Sequence, residues 1–323
     1  MIYRARGALL HNAQRQILLE CACFFIEYFP LFNSSGRLLA ALAVMVLIWA
    51  YSWIVMKQMM AYAGPFEFAA LRYLGGALVL FVVLAAMRQP LAPPPFWLTL
   101  LVGLGQTTGF QALAQLALVT GGAGKVSLFC YTMPFWVVLF AWFALSEKPT
   151  VKQWFGIALA AFGLVLVIEP WQGLSSMEST LLAIGGGAAW GAGTVLSKWM
   201  FQRYSIQPLS FTAWQMLLGS LALCAVAWAI PSEPIVWSTE FILGLAYSVF
   251  LASSLAWLIW SQLVRTLPTS VVGLASLLVP LTAILMAWML LAEQPSLIEG
   301  MGIAVIMTGL FVVRPQTKTK AKT

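Results

Sequence analysis

One pattern occurs twice along the chain, at a constant offset and without a gap, and this repeat restricts the possible folds more than any other feature. Each copy has a proline that opens an apolar run, a glutamate at its end, a second proline and two later glycines. The matched pairs are Pro134 with Pro280, Trp142 with Trp288, Glu147 with Glu293, Pro149 with Pro295, Gly156 with Gly302 and Gly163 with Gly309. Such a repeat predicts two copies of one structural unit.

The composition indicates whether these units are surrounded by water or by lipid. Hydrophobic residues make up 62% of the 323-residue chain and charged residues only 8%, whereas a soluble domain has about 25% charged residues. The 15 Trp and 20 Phe residues also suit lipid and its interfaces. The sequence therefore predicts an all-α polytopic membrane protein, with the lipid bilayer as its surroundings.

Several kinds of catalytic chemistry lack the residues that they need. The chain has no aspartate, and its one histidine, His11, precedes the first apolar segment. A catalytic triad, a zinc site or a two-metal site requires His and carboxylate clusters within the fold. We therefore predict that the protein is not an enzyme and has no cofactor, metal or nucleic-acid partner. A membrane-embedded enzyme remains a remote alternative.

Apolar runs of about 20 residues, the length of a membrane-spanning helix, can be counted along the chain. We predict ten of them, at residues 38–57, 66–87, 96–118, 123–145, 151–168, 179–200, 208–230, 239–263, 270–291 and 296–313. Loops rich in Lys and Arg face the cytoplasm. With the N-terminus inside, only Lys57 and Lys125 fall at the outer ends of spans, so both termini are predicted to be cytoplasmic and the membrane to be the inner one.

The domain boundaries follow from the repeat and the spans. We predict an N-terminal extension (1–36), a first five-helix repeat (37–169), an outer linker (170–178), a second repeat (179–314) and a basic cytoplasmic tail (315–323). Five is an odd number, so the second repeat is inverted relative to the first. Inverted repeats are typical of transporters, with substrate bound between them. The extension is either an interfacial amphipathic helix or an over-extended start, and we favour the second reading.

Polar side chains within spans are costly in lipid, so their positions indicate candidate sites. The third span carries a polar stripe, and the corresponding span of the second repeat carries a similar one. Aromatic residues of other spans could line the same central cavity. The predicted cavity residues are Trp49, Trp53, Thr107, Thr108, Gln111, Gln115, Tyr131, Trp190, Ser254, Trp257 and Ser261. For any single Ser or Thr, an interhelical hydrogen bond is the simpler explanation.

Charged residues in or near the spans have two readings each. Arg72 is the basic residue within a span, and its counterpart in the second repeat is the neutral Gln215. Arg72 either binds a carboxylate or supplies a counter-charge for coupling together with Glu67, or it is a snorkelling residue that pairs near Glu67 or with the opposite helix for purely structural reasons. For Glu147 and Glu293 we favour a capping or gating role over proton transport, with Pro134 and Pro280 as structural parts of the same motif.

The doubled pattern resembles the EamA family of the drug/metabolite transporter superfamily, over residues 38–313. The resemblance is carried by Trp49, Arg72-Tyr73, Pro134, Glu147, Gly156 and Gly163 in the first repeat and by Trp190, Pro280, Glu293, Gly302 and Gly309 in the second. It implies an inner-membrane carrier with inverted repeats and a central cavity, which commonly exports small metabolites such as amino acids or drugs.

These observations favour a secondary transporter that works by alternating access. The predicted small-molecule substrate is a neutral or aromatic amino acid, or a related amphipathic solute, because the cavity residues combine hydrogen-bonding groups with aromatic surface. A facilitative channel-like pore and a multidrug exporter are the alternatives. Proton coupling and facilitated diffusion both remain open, as do a monomer and a homodimer.

Overall fold

The computed structural model describes residues 35–145, 150–168, 177–230, 232–267, 276, 278–292 and 294–312. Residues 1–34 of the predicted extension, most of the predicted linker, Glu147, Glu293 and the basic tail lie outside these ranges. Within them, every regular element is helical. The elements are α1 (Ser35–Met59), α2 (Pro65–Ala86), α3 (Phe96–Val102), π1 (Gly103–Gly109), α4 (Phe110–Thr120), α5 (Ala123–Cys130), α6 (Met133–Leu145), α7 (Val151–Ile168), α8 (Met177–Arg203), α9 (Pro208–Ala229), α10 (Thr239–Tyr247), π2 (Ser248–Leu255), α11 (Ala256–Thr266), α12 (Leu278–Leu291) and α13 (Leu297–Val312).

Six helical segments of the described residues are long and apolar enough to cross a membrane. They are Ala40–Met59, Pro65–Ala86, Ala123–Ala144, Met177–Arg203, Pro208–Ala229 and Thr239–Thr266. Three shorter apolar helices accompany them, at Trp154–Val167, Leu278–Leu291 and Leu297–Gly309. The all-helical, multi-pass character predicted from the sequence is therefore confirmed, while the total of ten spans and the cytoplasmic location of the termini stay predictions.

Prolines mark corresponding helix starts in the two repeats. Pro65 and Pro208 occupy the first turns of α2 and α9, where a missing N–H costs no intrahelical hydrogen bond. Pro134 lies in the first turn of α6, after a turn at Tyr131 and Thr132 that interrupts the predicted fourth span. The predicted helix 123–145 is thus two helices, α5 and α6.

The third span of each repeat contains a π-helical segment, π1 or π2, at corresponding positions. A π segment has wider turns than an α-helix and occurs frequently at functional sites. Each segment packs against the second helix of the other repeat, π1 against α9 and π2 against α2. The two repeats therefore contact each other through two copies of one helix crossing.

Other contacts also occur in matched pairs. The second helices, α2 and α9, pack together, as do the last helices, α7 and α13. Lys57 at the end of α1 donates to the carbonyl oxygens of Leu118 and Gly121, and Ser179 at the start of α8 donates to Ala117. Because α1 ends and α8 begins beside the same end of α4, these two first helices run in opposite directions, as inverted repeats require.

Lysine caps show the same inversion. Lys57 binds the end of α4 in the first repeat, and Lys198 binds the carbonyl oxygens of Val264 and Leu267 near the end of α11 in the second. A cation at these positions stabilises the otherwise unpaired carbonyls of a helix C-terminus. The two lysines mark opposite ends of the bundle, which we call the Lys57 end and the Lys198 end.

Candidate functional site

A small aromatic cavity of about 20 Å³ lies between the two repeats. That volume accommodates about one water molecule, so a solute requires the cavity to widen. Its walls come from α1, α2, α4, α8 and α11 and from the turn after α5. The lining residues are Trp49, Ser52, Trp53, Met56, Arg72, Tyr73, Phe110, Gln111, Tyr131, Trp190 and Trp257.

Trp49 and Trp190, which are counterparts in the first helices of the two repeats, meet at this cavity. Their ring centroids are 5.6 Å apart in an edge-to-face arrangement. Trp257 lies 5.5 Å from Trp49, and Phe110 stacks on Trp190 at 4.9 Å. Trp260 packs against both Trp49 and Trp190 but does not line the cavity. The cavity therefore offers rigid, flat apolar surfaces on opposite walls.

Some polar atoms of the cavity are paired within the protein and others are not. The Trp257 indole N–H donates to the Tyr73 hydroxyl at 2.9 Å, and the Trp49 indole donates to the Ala252 carbonyl at 3.1 Å. By contrast, Gln111 Oε1 and Trp190 Nε1 are buried without a partner among the described residues. A buried unpaired polar atom costs about 1–3 kcal/mol, and both atoms are therefore candidates to bind a ligand.

Arg72 is the charged residue of the cavity and is only 2% exposed. Its Nε donates to Ser253 Oγ at 3.2 Å, whereas its Nη1 is buried without a hydrogen-bond partner in the described ranges. The one ion pair found in the described part of the chain joins Lys125 to Glu299. Arg72 is therefore bonded to the opposite helix through Ser253 and not paired with Glu67, whose buried Oε2 has no hydrogen-bond partner among the described residues.

In the second repeat, an uncharged residue forms the contact that corresponds to the one between Arg72 and Ser253. Gln215, the counterpart of Arg72, accepts a hydrogen bond at Oε1 from Thr107 Oγ1 at 3.0 Å, and Thr107 is the counterpart of Ser253. A neutral carboxamide can therefore form the hydrogen bond that joins the second helix of one repeat to the third span of the other. Gln215 Nε2 is, like Arg72 Nη1, buried without a hydrogen-bond partner among the described residues. What distinguishes the Arg72 crossing is therefore its positive charge, which the crossing itself does not need and which makes Arg72 a candidate to bind an anionic group.

The structure brings together six predicted cavity residues (Trp49, Trp53, Gln111, Tyr131, Trp190 and Trp257) with Arg72. It does not place the other five in the cavity wall: Thr107, Thr108, Gln115, Ser254 and Ser261.

Most of these five residues form hydrogen bonds between helices. Thr108 Oγ1 donates to the Gly219 carbonyl at 2.8 Å, and Ser254 Oγ donates to the Gly76 carbonyl at 3.3 Å. Ser261 accepts a hydrogen bond from Thr212 at 2.7 Å. Gln115 is fully buried, and neither polar atom of its amide has a hydrogen-bond partner in the part of the chain that the structure describes. Their part in a wider cavity stays a prediction.

The sequence contained a signal for some cavity residues that were missed. Ser52 and Met56 follow Trp49 and Trp53 at spacings of three and four residues, which places all four on one face of α1. Tyr73 was noted only as part of the family pattern, and Phe110 had no polar feature that distinguished it. An apolar residue of this kind is indistinguishable from core without the tertiary structure.

A second, larger cavity of about 440 Å³ opens at the Lys57 end. It is lined by Lys57, Lys125 and Glu299, among other residues. Glu299 accepts a hydrogen bond at Oε2 from the Ser296 N–H and pairs with Lys125 through Oε1, so it both caps α13 and joins α13 to α5. No cluster of three or more His, Cys, Asp or Glu side chains that could hold a metal occurs in the described ranges.

Comparison with known proteins agrees with this architecture. The model of the EamA-like transporter family matches residues 35–169 and 177–314. An uncharacterized transporter of Bacillus subtilis (strain 168), YoaV, is 26% identical over 85% of this chain and 96% of its own length. A probable amino-acid metabolite efflux pump of Escherichia coli (strain K12) is 30% identical over 83% of this chain and 92% of its own length.

A solved crystal structure has a similar fold. It superposes with a TM-score of 0.67 at 17% identity and covers 87% of this chain and 98% of that chain. Together with the two family-model matches, which span most of the sequence, these findings show that the chain belongs to the EamA-like transporter family and is a multi-pass transporter of the inner membrane.

Proposed function

We propose that the protein exports a small amphipathic solute that carries a carboxylate, such as a neutral or aromatic amino acid, by alternating access. The observation that carries this proposal is Arg72, a residue of the cavity wall whose buried Nη1 has no hydrogen-bond partner among the described residues. A guanidinium binds a carboxylate through short, charge-assisted hydrogen bonds. Each bond of this kind contributes about 1.5–3 kcal/mol.

The other cavity groups match the remaining parts of an amino acid. Gln111 Oε1 is an unpaired acceptor, suited to an ammonium group, which has donors only. The faces of Trp49, Trp190 and Phe110 suit an aromatic or branched side chain. Donor, acceptor and apolar surface therefore occur in one cavity, in the combination that a zwitterion with an apolar side chain requires.

The narrow centre of the molecule supports alternating access over a permanently open pore. The central cavity measures about 20 Å³, while wider cavities lie at both ends, about 440 Å³ at the Lys57 end and about 410 Å³ at the Lys198 end, beside Pro93, Tyr204 and Gln207. With the orientation predicted from the loop charges, the Lys57 end is the outer one, so an exported solute would leave through the cavity at that end. Inverted repeats can exchange conformations, which would open the Lys198 end in turn.

The relatives named as probable amino-acid metabolite efflux pumps support the same substrate class. They come from Escherichia coli (strain K12) and Salmonella typhimurium, and each is 30% identical to this chain. Their names describe those proteins, and the substrate of this chain is inferred from its own cavity.

The test is a solute panel in proteoliposomes that contain the purified protein. We expect saturable flux of phenylalanine, and flux at least about tenfold weaker for phenylalaninamide and phenethylamine, since losing about 1.4 kcal/mol of binding reduces affinity tenfold. Equal flux of phenylalanine, phenylalaninamide and phenethylamine would favour a multidrug exporter and contradict the proposal. Flux that does not saturate would favour a channel-like pore. Repeating the assay with a pH gradient separates proton coupling from facilitated diffusion.

Trp257→Ala should lower phenylalanine flux by about tenfold or more. The substitution removes one aromatic wall of the cavity and leaves the Tyr73 hydroxyl without its indole donor, at a cost of about 1–3 kcal/mol. Gln111→Ala should act in the same direction. The matched control is Trp228→Ala, because Trp228 is 87% exposed on α9. Normal flux in the Trp257 and Gln111 variants would remove these residues from the site.

A further inference from the structure

The hydrogen bond that anchors Arg72 joins the two repeats. Arg72 belongs to α2 of the first repeat, and Ser253 belongs to π2 of the second. It is the one hydrogen bond found for Arg72 among the described residues, and it uses Nε, so Nη1 of this cavity-lining residue remains without a partner there. The orientation of the guanidinium therefore depends on a residue of the opposite repeat.

We propose that Ser253 is a positioning residue, which holds the Arg72 guanidinium in the orientation that binds the solute carboxylate. The inference rests on the proposed function and adds a condition to it. The carboxylate site is complete only while α2 and π2 are in contact, because the first repeat supplies Arg72 and the second supplies Ser253, which holds it.

The hydrogen bond from Arg72 to Ser253 reduces the conformational entropy that Arg72 would otherwise lose when a solute binds. An arginine side chain loses up to about 2 kcal/mol of rotamer freedom when it is held in one orientation. In the present arrangement Ser253 and the adjacent Tyr73 ring, whose centroid is 5.0 Å from the guanidinium carbon, restrict Arg72 before any solute binds. A pre-positioned guanidinium binds its ligand more tightly, since the cost of ordering has already been met.

The close approach of α2 and π2 depends on Gly76. A Cβ atom at Gly76 would lie 2.9 Å from the Cβ of Ser253 and 3.1 Å from the Met216 sulfur, so any larger residue would push π2 away. The neighbouring Ser254 donates to the Gly76 carbonyl and to the Val249 carbonyl within π2. Glycine at 76 therefore brings Ser253 within hydrogen-bonding distance of Arg72.

The mirror crossing shows which substitution at 253 should be tolerated. There the glycine is Gly219, and a Cβ on it would lie 2.5 Å from the Cβ of Thr107, the counterpart of Ser253. A threonine thus fits against a glycine at this kind of crossing and still donates its hydroxyl hydrogen bond. Ser253→Thr should keep the anchor, whereas Ser253→Ala should remove it.

The anchor also connects binding to the transport cycle. When the repeats rearrange to open the other end of the bundle, α2 and π2 move relative to each other, since they belong to different repeats. Separation of Arg72 Nε from Ser253 Oγ would release the guanidinium from its binding orientation. The affinity for the carboxylate is then high in one arrangement and low in the other, as a transporter that must release its solute requires.

The experiment compares Ser253→Ala with Ser253→Thr in purified, full-length protein. The readout is the ratio of phenylalanine affinity to phenylalaninamide affinity, measured by competition against a transported solute. Loss of one hydrogen bond to a charged group should lower this ratio by about fivefold or more in Ser253→Ala. We expect Ser253→Thr to retain the wild-type ratio, and Gly76→Ala to lower the ratio as Ser253→Ala does.

Each alternative outcome has a distinct meaning. A Ser253→Ala protein that loses both affinities equally, or a Ser253→Thr protein that loses the ratio, would overturn the positioning role. If Arg72→Gln leaves the ratio unchanged, the proposed carboxylate function itself fails. If Arg72→Gln lowers the ratio and Ser253→Ala does not, only the role of Ser253 fails. Should Ser253→Ala misfold, Ser253→Cys, which has similar size and a weaker hydrogen-bonding group, takes its place with the same expectation.

Discussion

Replacing Arg72 by glutamine is expected to reduce carboxylate transport by about tenfold or more while the protein remains folded. The variant loses the positive charge of a cavity-lining residue together with Nη1, which has no partner among the described residues, and a charge-assisted hydrogen bond contributes about 1.5–3 kcal/mol. The fold should survive because Gln215 occupies the corresponding place in the second repeat and forms the corresponding crossing contact. Removing a buried charge that has no acidic partner also removes a desolvation cost.

The measurement is phenylalanine flux into proteoliposomes, together with the thermal unfolding midpoint of the purified variant in detergent. Arg203→Gln is the matched control, since Arg203 is exposed at the end of α8 and its guanidinium lies over the Trp199 ring. We expect unchanged flux in the control. Wild-type phenylalanine flux in Arg72→Gln would contradict the proposed role of Arg72. A strongly lowered unfolding midpoint would instead identify the arginine as a structural residue.

Replacing Gly302 by alanine is expected to lower the stability of the protein without changing its cavity. Gly302 lies on α13 where this helix crosses α7, and a Cβ there would lie 2.7 Å from the carbonyl oxygen of Gly163 and 2.7 Å from a methyl carbon of Val167. On the facing helix, a Cβ added to Gly163 would in turn lie 2.7 Å from the Gly302 carbonyl oxygen. Backbone atoms cannot rotate away, so the two last helices must separate, at a cost of about 1–3 kcal/mol or more.

Gly300→Ala provides a control on the same helix. A Cβ at Gly300 meets nothing within 4 Å, and alanine is the better helix former by about 1 kcal/mol. The thermal unfolding midpoint, followed by tryptophan fluorescence in detergent, should fall clearly for Gly302→Ala and stay equal or rise for Gly300→Ala. Equal losses in both variants would mean that α13 needs glycine for flexibility, and no loss in Gly302→Ala would contradict the close crossing.

Much of the architecture could be predicted because it depends on features that are local or periodic in the sequence. The shortage of charged residues excludes a water-facing surface, and the doubled pattern with Pro134, Pro280 and the paired glycines indicates two related units. Trp49 and Trp190 were predicted as cavity residues because of their flat apolar side chains, and they meet across the repeat interface. Chemical type and spacing were sufficient for these inferences.

The polar stripe of the third span could be predicted only in part. Helical spacing places Thr108, Gln111 and Gln115 on one face of a regular α-helix. The structure has π1 at Gly103–Gly109, and the wider turns of a π segment change the register between residues before and after it. Gln111 accordingly reaches the cavity, while Thr108 bonds to Gly219 on α9.

The sequence by itself determined the solvent, the helical class, the doubled unit and the family of this protein, because these depend on composition and on order along one chain. Only the tertiary structure decided that Arg72 is anchored by Ser253, that Nη1 is left unpaired, and that Gln215 and Thr107 form the neutral counterpart of this contact. Residues 72 and 253 are distant in sequence and lie in different repeats. Their contact depends on how closely two helices approach, which no pattern along a single helix encodes.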